Sequence, residues 1–326
     1  MNQALHDVFS SLKARLEAEV LGQQRLVERL LIGLLADGHL LLEGPPGLAK
    51  TRAVKVLAAL VDGSFHRLQF TPDLLPADLT GTEVFRPQDG CFHFERGPLF
   101  HEFILADEIN RAPAKVQSAL LEAMAERQIT VGQVSYRLPE LFMVMATQNP
   151  LEHQGTYALP EAQLDRFLMQ VRIDYPDTEA ELQILALARH EARASLAPPE
   201  ATPAAPAVTR DQVFAARRAV LDIHLAPELA RYIVHLVTAS RQPEMASPDL
   251  ARLVRFGASP RGSIALERCA RARAWLAGRD YVSPTDIQAC APDVLRHRIL
   301  LSYEAEADGT TPDHVIDALI KCVTVP

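Results

Sequence analysis

The residues Gly44-Pro45-Pro46-Gly47-Leu48-Ala49-Lys50-Thr51 stand between an apolar run, His39 to Glu43, and a helical pattern from about Thr51 to Val61. That order of parts suits a phosphate chain. Backbone N–H groups at a helix N-terminus point at phosphate oxygens, and the helix dipole favours negative charge there. In such a loop Lys50 reaches the β- and γ-phosphates of ATP, and the Thr51 hydroxyl ligates Mg²⁺. The strict pattern has Gly before the Lys, where this chain has Ala49. A methyl group is tolerated there if φ is negative and no ligand atom approaches Cβ. A plain Gly/Pro turn would explain the glycines but not the Lys-Thr that opens the helix.

Asp107-Glu108 closes a second apolar run, Phe103 to Ala106. An Asp at that place holds Mg²⁺ through its water shell, and the adjacent Glu polarises the attacking water. Taken alone, the pair reads as a helix cap with a solvated neighbour. Asn149, in Ala146-Thr147-Gln148-Asn149-Pro150, ends a further apolar run. Its amide could orient water or touch the γ-phosphate in the crevice beyond the strand ends. Its ordinary reading is an Asn-Pro turn.

These groups need a scaffold that sets several strand ends side by side. Apolar runs at 39–43, 103–106 and 142–146, with further candidate strands at 66–70 and 168–173, alternate with helical patterns, notably Ala114 to Glu126. Continuous apolar strands separated by helices predict an α/β core whose five-stranded parallel sheet is covered on both faces. Two segments break the rhythm. Val84-Phe85-Arg86 and Cys91-Phe92-His93-Phe94 flank Pro87 to Gly90, and Ile129-Thr130-Val131 and Val134-Ser135-Tyr136 flank Gly132-Gln133. Both read as inserted hairpins, near 80–95 and 128–137.

From Ala194 to Val208 the chain reads ASLAPPEATPAAPAV, a semi-rigid Pro/Ala linker. Helical signals follow. Thr209 and Gln212 form a capping box, Leu229, Tyr232, Ile233, Leu236 and Val237 recur at helical spacing, Ser283 opens another helix, and Val315 to Val323 make a last one. The expected division is a core at 1–193, a linker at 194–208 and a small all-helical domain at 209–326.

Composition bounds the function classes. The 326 residues carry 33 Lys and Arg against 41 Asp and Glu, a net charge of −8, with 48% apolar residues. The chain can bury a sizeable core, and its acidic balance argues against binding nucleic acid by bulk charge. Cys91, Cys269, Cys290 and Cys322 show no metal-ligand spacing and read as small hydrophobes or free thiols, as in a reducing, cytoplasmic setting. No segment reads as a signal peptide or a membrane span.

The motifs GPPGLAKT, ILADEINRAP, VMATQNP, LPEAQLDRF and GASPRGS, in this order, resemble those of the MoxR family of AAA+ ATPases. The likeness runs from Leu21-Gly22-Gln23 to about Pro292. The family carries Ala at the position of Ala49, and its branch has an insert in the second helix, matching the first hairpin. The resemblance implies an AAA+ core with a helical lid that uses ATP and Mg²⁺. By it, Gly22 and Gln23 line the adenine pocket, and residues 44–51 form the phosphate loop. Asp107 is the magnesium residue, Glu108 the catalytic base and Asn149 the first sensor. Arg166, in Leu164-Asp165-Arg166-Phe167, is the arginine finger given to a neighbouring subunit. Arg261, in Ser259-Pro260-Arg261, is the second sensor, reaching from the lid to the phosphates. Without the resemblance, either arginine reads as a surface ion pair. Arg111 also faces outward but is not favoured as the finger.

A finger supplied in trans implies a ring, and the resemblance makes it a homohexamer. The leading expectation is an ATP-driven chaperone that remodels a client protein, with a separate von Willebrand factor A domain partner. Phe85, Phe92, Phe94 and Tyr136 are candidate client contacts, or merely cross-strand pairs that stabilise the hairpins. The alternatives are a nucleic-acid motor, disfavoured because acidic residues offset the hairpin arginines, a magnesium-chelatase-like subunit, and a scaffold that binds ATP without hydrolysing it.

Overall fold

The computed structural model describes residues 3–45, 47, 48, 50–88, 90–148, 157, 159–194 and 206–325. Two helices, α1 (Gln3–Glu19) and α2 (Gln24–Leu35), lead into β1 (Leu40–Glu43), α3 (Lys50–Leu60) and β2 (Phe65–Gln69). A short α4 (Pro76–Thr80) precedes the hairpin β3 (Gly81–Arg86) and β4 (Cys91–Arg96). The chain returns as β5 (Phe103–Asp107) and α5 (Ala114–Glu126), then makes a second hairpin, β6 (Gln128–Val131) and β7 (Val134–Arg137). The core ends with β8 (Met143–Gln148), α6 (Glu161–Leu164), β9 (Met169–Arg172) and α7 (Thr178–Ala194).

The sheet has the order β2-β5-β8-β1-β9, and every neighbouring pair is parallel. Its three central strands, β1, β5 and β8, are largely apolar because both faces are covered. Leu40 and Leu42, Phe103 and Leu105, and Met143 and Met145 enter one hydrophobic cluster. The alternate residues Leu41, Ile104, Ala106, Val144 and Ala146 enter another on the opposite face. This is the period-2 alternation of a strand, with an apolar layer waiting on each side.

The two predicted hairpins are present. Phe85 faces Phe92 across the β3–β4 ladder, and Ile129 faces Tyr136 across β6–β7. Their aromatics divide into two groups. Phe94 stacks on Tyr136 at 4.1 Å between ring centroids, joining the hairpins to each other. Phe85 and Phe92 touch at 5.3 Å and stay exposed to solvent.

The second half comprises α8 (Arg210–Leu221), α9 (Pro227–Arg241), α10 (Pro248–Leu253), β10 (Val254–Phe256) and α11 (Pro260–Leu276). It continues with α12 (Pro284–Leu295), β11 (Leu300–Leu301), α13 (Tyr303–Ala307) and α14 (Pro312–Cys322). The bundle is helical apart from the short antiparallel pair β10–β11. The expected capping box opens α8, where the Thr209 hydroxyl accepts from the Gln212 amide. Most of the expected linker, residues 195–205, lies outside the described residues. Its end is anchored, since the amides of Ala207 and Val208 both donate to the Leu60 carbonyl.

The bundle shares one continuous hydrophobic cluster with one face of the sheet, through α1 and α2. That cluster runs from Leu40 and Met143 through Phe9, Leu26 and Leu30 to Leu266 and Trp275. Among the described residues the cysteines are free, and no helix is long and apolar enough to cross a membrane.

Candidate functional site

Beyond the C-terminal end of β1 the chain turns through Gly44 and Gly47 into α3. The two glycines are required for different reasons. A Cβ at Gly44 would meet the Ile173 carbonyl oxygen at 2.5 Å, whereas Gly47 has φ +84 with open space around it. The first allows a close approach of backbone, and the second a left-handed turn. Pro46, Ala49 and Asn149 lie outside the described residues. Lys50 opens α3, and its Nζ donates to the Gly44 carbonyl at 2.7 Å. Burial lowers the Lys50 pKa, while Asp107 and Glu108 act in the opposite sense. The ammonium therefore lies within electrostatic reach of both carboxylates.

Those carboxylates end β5, separated from β1 only by β8. The Asp107 Oδ1 accepts from the Thr147 hydroxyl at 2.6 Å, and Oδ2 accepts from Arg67 Nη2, also at 2.6 Å. Glu108 has φ 58 and ψ 49, a left-handed conformation uncommon outside glycine. Such strain persists where the surroundings hold it, and here they do. The Glu108 amide donates to Thr147 Oγ1 at 2.9 Å, and its carboxylate takes Gln69 Nε2 at 2.9 Å and Arg111 Nε at 3.1 Å. Arg111 thus steadies Glu108 within its own chain.

Arg67, Gln69 and Thr147 escaped the sequence reading. The signal was register. Gln69 pairs with Asp107 in the β2–β5 ladder, and Thr147 follows Ala146, which pairs with Ala106. The donor chemistry fits Mg²⁺, a hard ion that keeps several waters and is held by one or two protein oxygens plus substrate phosphates. Thr51 and Asp107 offer a hydroxyl and a carboxylate, and no cluster of three metal-binding side chains exists among the described residues.

Gln23 is buried and donates to the Asp174 carbonyl at 2.9 Å. It lines a mostly apolar pocket of about 180 Å³ with Leu21, Gly47, Leu48, Pro176 and Ile184. Gly47 stands in the loop expected to take phosphate, so the pocket lies beside that loop.

Arg166 and Arg261 are placed elsewhere. Both line a cavity of about 360 Å³ with Asp37, Gly38 and His39, the residues that lead into β1. The phosphate loop lies past the other end of that strand, whose four residues span about 13 Å. Arg166 donates to the Leu121 carbonyl, and Arg261 stands 3.8 Å from Asp165. Arg261 therefore does not stand at the phosphate-side end of β1 in its own chain. The cause is how the bundle docks. Arg298, deeply buried, donates to Asp165 Oδ1 at 2.7 Å and to the Phe167 carbonyl at 2.6 Å. That clamp holds the bundle against the segment before β9, and α11 starts there.

A second seam joins the bundle to the phosphate loop's own strand. Glu43, the last residue of β1, accepts from Gln170 at 2.6 Å and pairs with Arg172. Arg172 binds Asp313 at 2.6 Å, and Asp313 binds Arg296 at 2.8 Å.

The chain is similar to known proteins over nearly its whole length. A family described as the ATPase family associated with various cellular activities (AAA) matches residues 39–169, and an AAA lid domain matches 249–319. Chaperone MoxR1 of Mycobacterium tuberculosis is 48% identical over 94% of this chain and 79% of its own length. Protein MoxR of Paracoccus denitrificans is 36% identical, covering 98% of this chain and 97% of its own. The crystal structure of a candidate ATPase from Cytophaga hutchinsonii superposes with a TM-score of 0.90 at 43% identity, covering 99% of this chain and 96% of that one.

Proposed function

The chain belongs to the MoxR family of AAA ATPases, and from that membership we propose that it hydrolyses ATP in a ring of identical subunits to remodel a client protein. The observation that carries the reading is the crevice beyond β1, β8 and β5, where Lys50 lies within electrostatic reach of Asp107 and Glu108. The base enters the pocket at Gln23, and the loop amides and Lys50 hold the phosphates. Thr51 and Asp107 would hold Mg²⁺, which would supply neutralising charge to the phosphates. Glu108 takes the proton of the attacking water. Its carboxylate is already oriented by Gln69 and Arg111, so little reorganisation is needed. Asn149 is proposed to sense the γ-phosphate.

Arg166 and Arg261 are then offered to a neighbour. They face away from their own phosphate loop, so an interface that joins unlike ends brings them to the next subunit's nucleotide. Repeated, such a head-to-tail contact closes into a ring, which we take to be hexameric. Closure around ATP and release after hydrolysis would move the hairpins, with Phe85 and Phe92 free to meet the client. We propose that a separate protein with a von Willebrand factor A domain directs client choice.

The test is ATP hydrolysis per subunit across a wide range of protein concentration, with Glu108→Gln as the blank. A rate per subunit that rises with concentration and vanishes in the variant is expected. Wild-type activity no greater than the blank at any concentration would sink the reading.

A further inference from the structure

The cavity at the N-terminal end of β1 is more cationic than Arg166 and Arg261 make it. Five arginines and two aspartates line it. Two of the arginines are committed. Arg298 is spent on Asp165 and on the carbonyls of Phe167 and Val294. Arg127 is held by Asp37 at 2.6 Å, and Asp37 also takes Arg217 at 2.6 Å. Both carboxylates are therefore engaged, with Arg261 also 3.8 Å from Asp165, and five guanidinium groups against two carboxylates leave the cavity with excess positive charge to which Arg166 and Arg268 contribute in full.

Arg268 has had no role so far. It lies on α11 seven residues after Arg261, two helical turns along the same face. Its helical neighbours three and four residues away are Ile264, Ala265, Arg271 and Ala272, so no acid on its own helix can pair with it. Glu267, the adjacent acid, is bound to Arg271 at 2.9 Å. Arg268 is exposed, and among the described residues no hydrogen bond or ion pair engages it. Three guanidinium groups crowded on one concave surface repel one another unless an anion joins them. Phosphate oxygens suit that task, because the planar fork of Arg matches them with two parallel hydrogen bonds. The chain's own phosphate loop lies past the far end of β1, so the anion must come from another molecule.

We propose that Arg268 is a third trans-acting cation, joining Arg166 and Arg261 in binding the polyphosphate of the nucleotide held by the neighbouring copy of this chain. The assignment rests on the hydrolysis reading above and adds a residue to its interface.

Mixed rings test it. Subunits carrying Glu108→Gln keep Arg268 but have a dead site, and subunits carrying Arg268→Ala keep Glu108 but lack the cation. Rings of Arg268→Ala alone are expected to turn over about tenfold more slowly than wild type, the effect of one lost charge-assisted hydrogen bond. Arg268→Lys, which keeps the charge, is expected to fall between the two. Co-assembled in equal amounts, the two defective subunits should recover about a quarter of the wild-type rate, since one interface in four then pairs a live site with an intact donor. A merely structural role for Arg268 would give no such recovery. Active wild-type rings with a mixture no faster than the mean of its components, or an Arg268→Ala rate equal to wild type, would overturn this proposal alone. Wild-type rings without hydrolysis would overturn the hydrolysis reading and this proposal with it.

Discussion

The two ends of β1 face opposite problems. At its C-terminal end one compact run, Gly44 to Thr51, makes the turn proposed to hold phosphate, and a strand two positions away delivers Asp107 and Glu108. At its N-terminal end no single run of residues does so. The arginine cavity is gathered from residues 37–39, the end of α5, the segment at 165–168, α11 and Arg298. The first end works through backbone, which a short local sequence can shape. The second works through long cationic side chains, which only docking of the bundle can gather. On the proposed reading, one half of the site is local in sequence and the other half wholly tertiary.

The sharpest way to separate the two ends is to cut each in turn. Arg166→Ala is expected to slow hydrolysis about 10³-fold or more while weakening nucleotide binding far less. Lys50→Ala should instead abolish binding itself. Titration with a fluorescent nucleotide beside a turnover assay distinguishes them, and equal loss of binding in both would erase the distinction between the ends.

Arg298→Ala should cost about 3 kcal/mol of stability, because it strips a part-buried Asp165 of its close partner and leaves only Arg261 at 3.8 Å. The measurement is the shift of the urea midpoint. A shift near zero would mean that the bundle does not need this clamp.

Acid should loosen the arginine end first. His39 lines that cavity, and burial pushes its pKa down to about 4. The Val144 amide donates to its Nδ1 at 3.0 Å, so the neutral ring is the form the fold uses. Burial likewise drives His297, beside Arg298, well below the usual histidine range. Between pH 6.5 and 4 the unfolded chain binds the proton and the folded one does not, so stability falls as the pH drops through that window. From pH 7 to pH 5 His39 alone should remove about 2 kcal/mol. Denaturant midpoints at the two pH values check this, and the His39→Gln variant should flatten the difference.

Much of the molecule was legible in the chain. Leu40 to Leu42, Phe103 to Ala106 and Met143 to Ala146 are short apolar runs bounded by turn residues, and each became a central strand. Gly90 and Gly132 mark the hairpin turns with positive φ. Other parts had no local signal. Arg67 and Thr147 meet Asp107 because β2 and β8 flank β5, and sheet order is not written in any one strand. Phe85 and Phe94 look alike in sequence. Only the second hairpin, which places Tyr136 against Phe94, makes one a packing residue and leaves the other free.

Local sequence is enough to specify the glycine turn from Gly44 to Thr51, the acidic pair at the end of β5 and the apolar strands that carry them. These depend on backbone geometry and on side chains a few residues apart. Tertiary structure alone decided where Arg166, Arg261 and Arg268 stand. Their place follows from one hydrophobic cluster that joins the bundle to a face of the sheet, and from Arg298 locking onto Asp165 across 133 residues of chain. Burial of apolar surface has no direction of its own, so the bundle's orientation had to be set by such buried, hydrogen-bonded pairs.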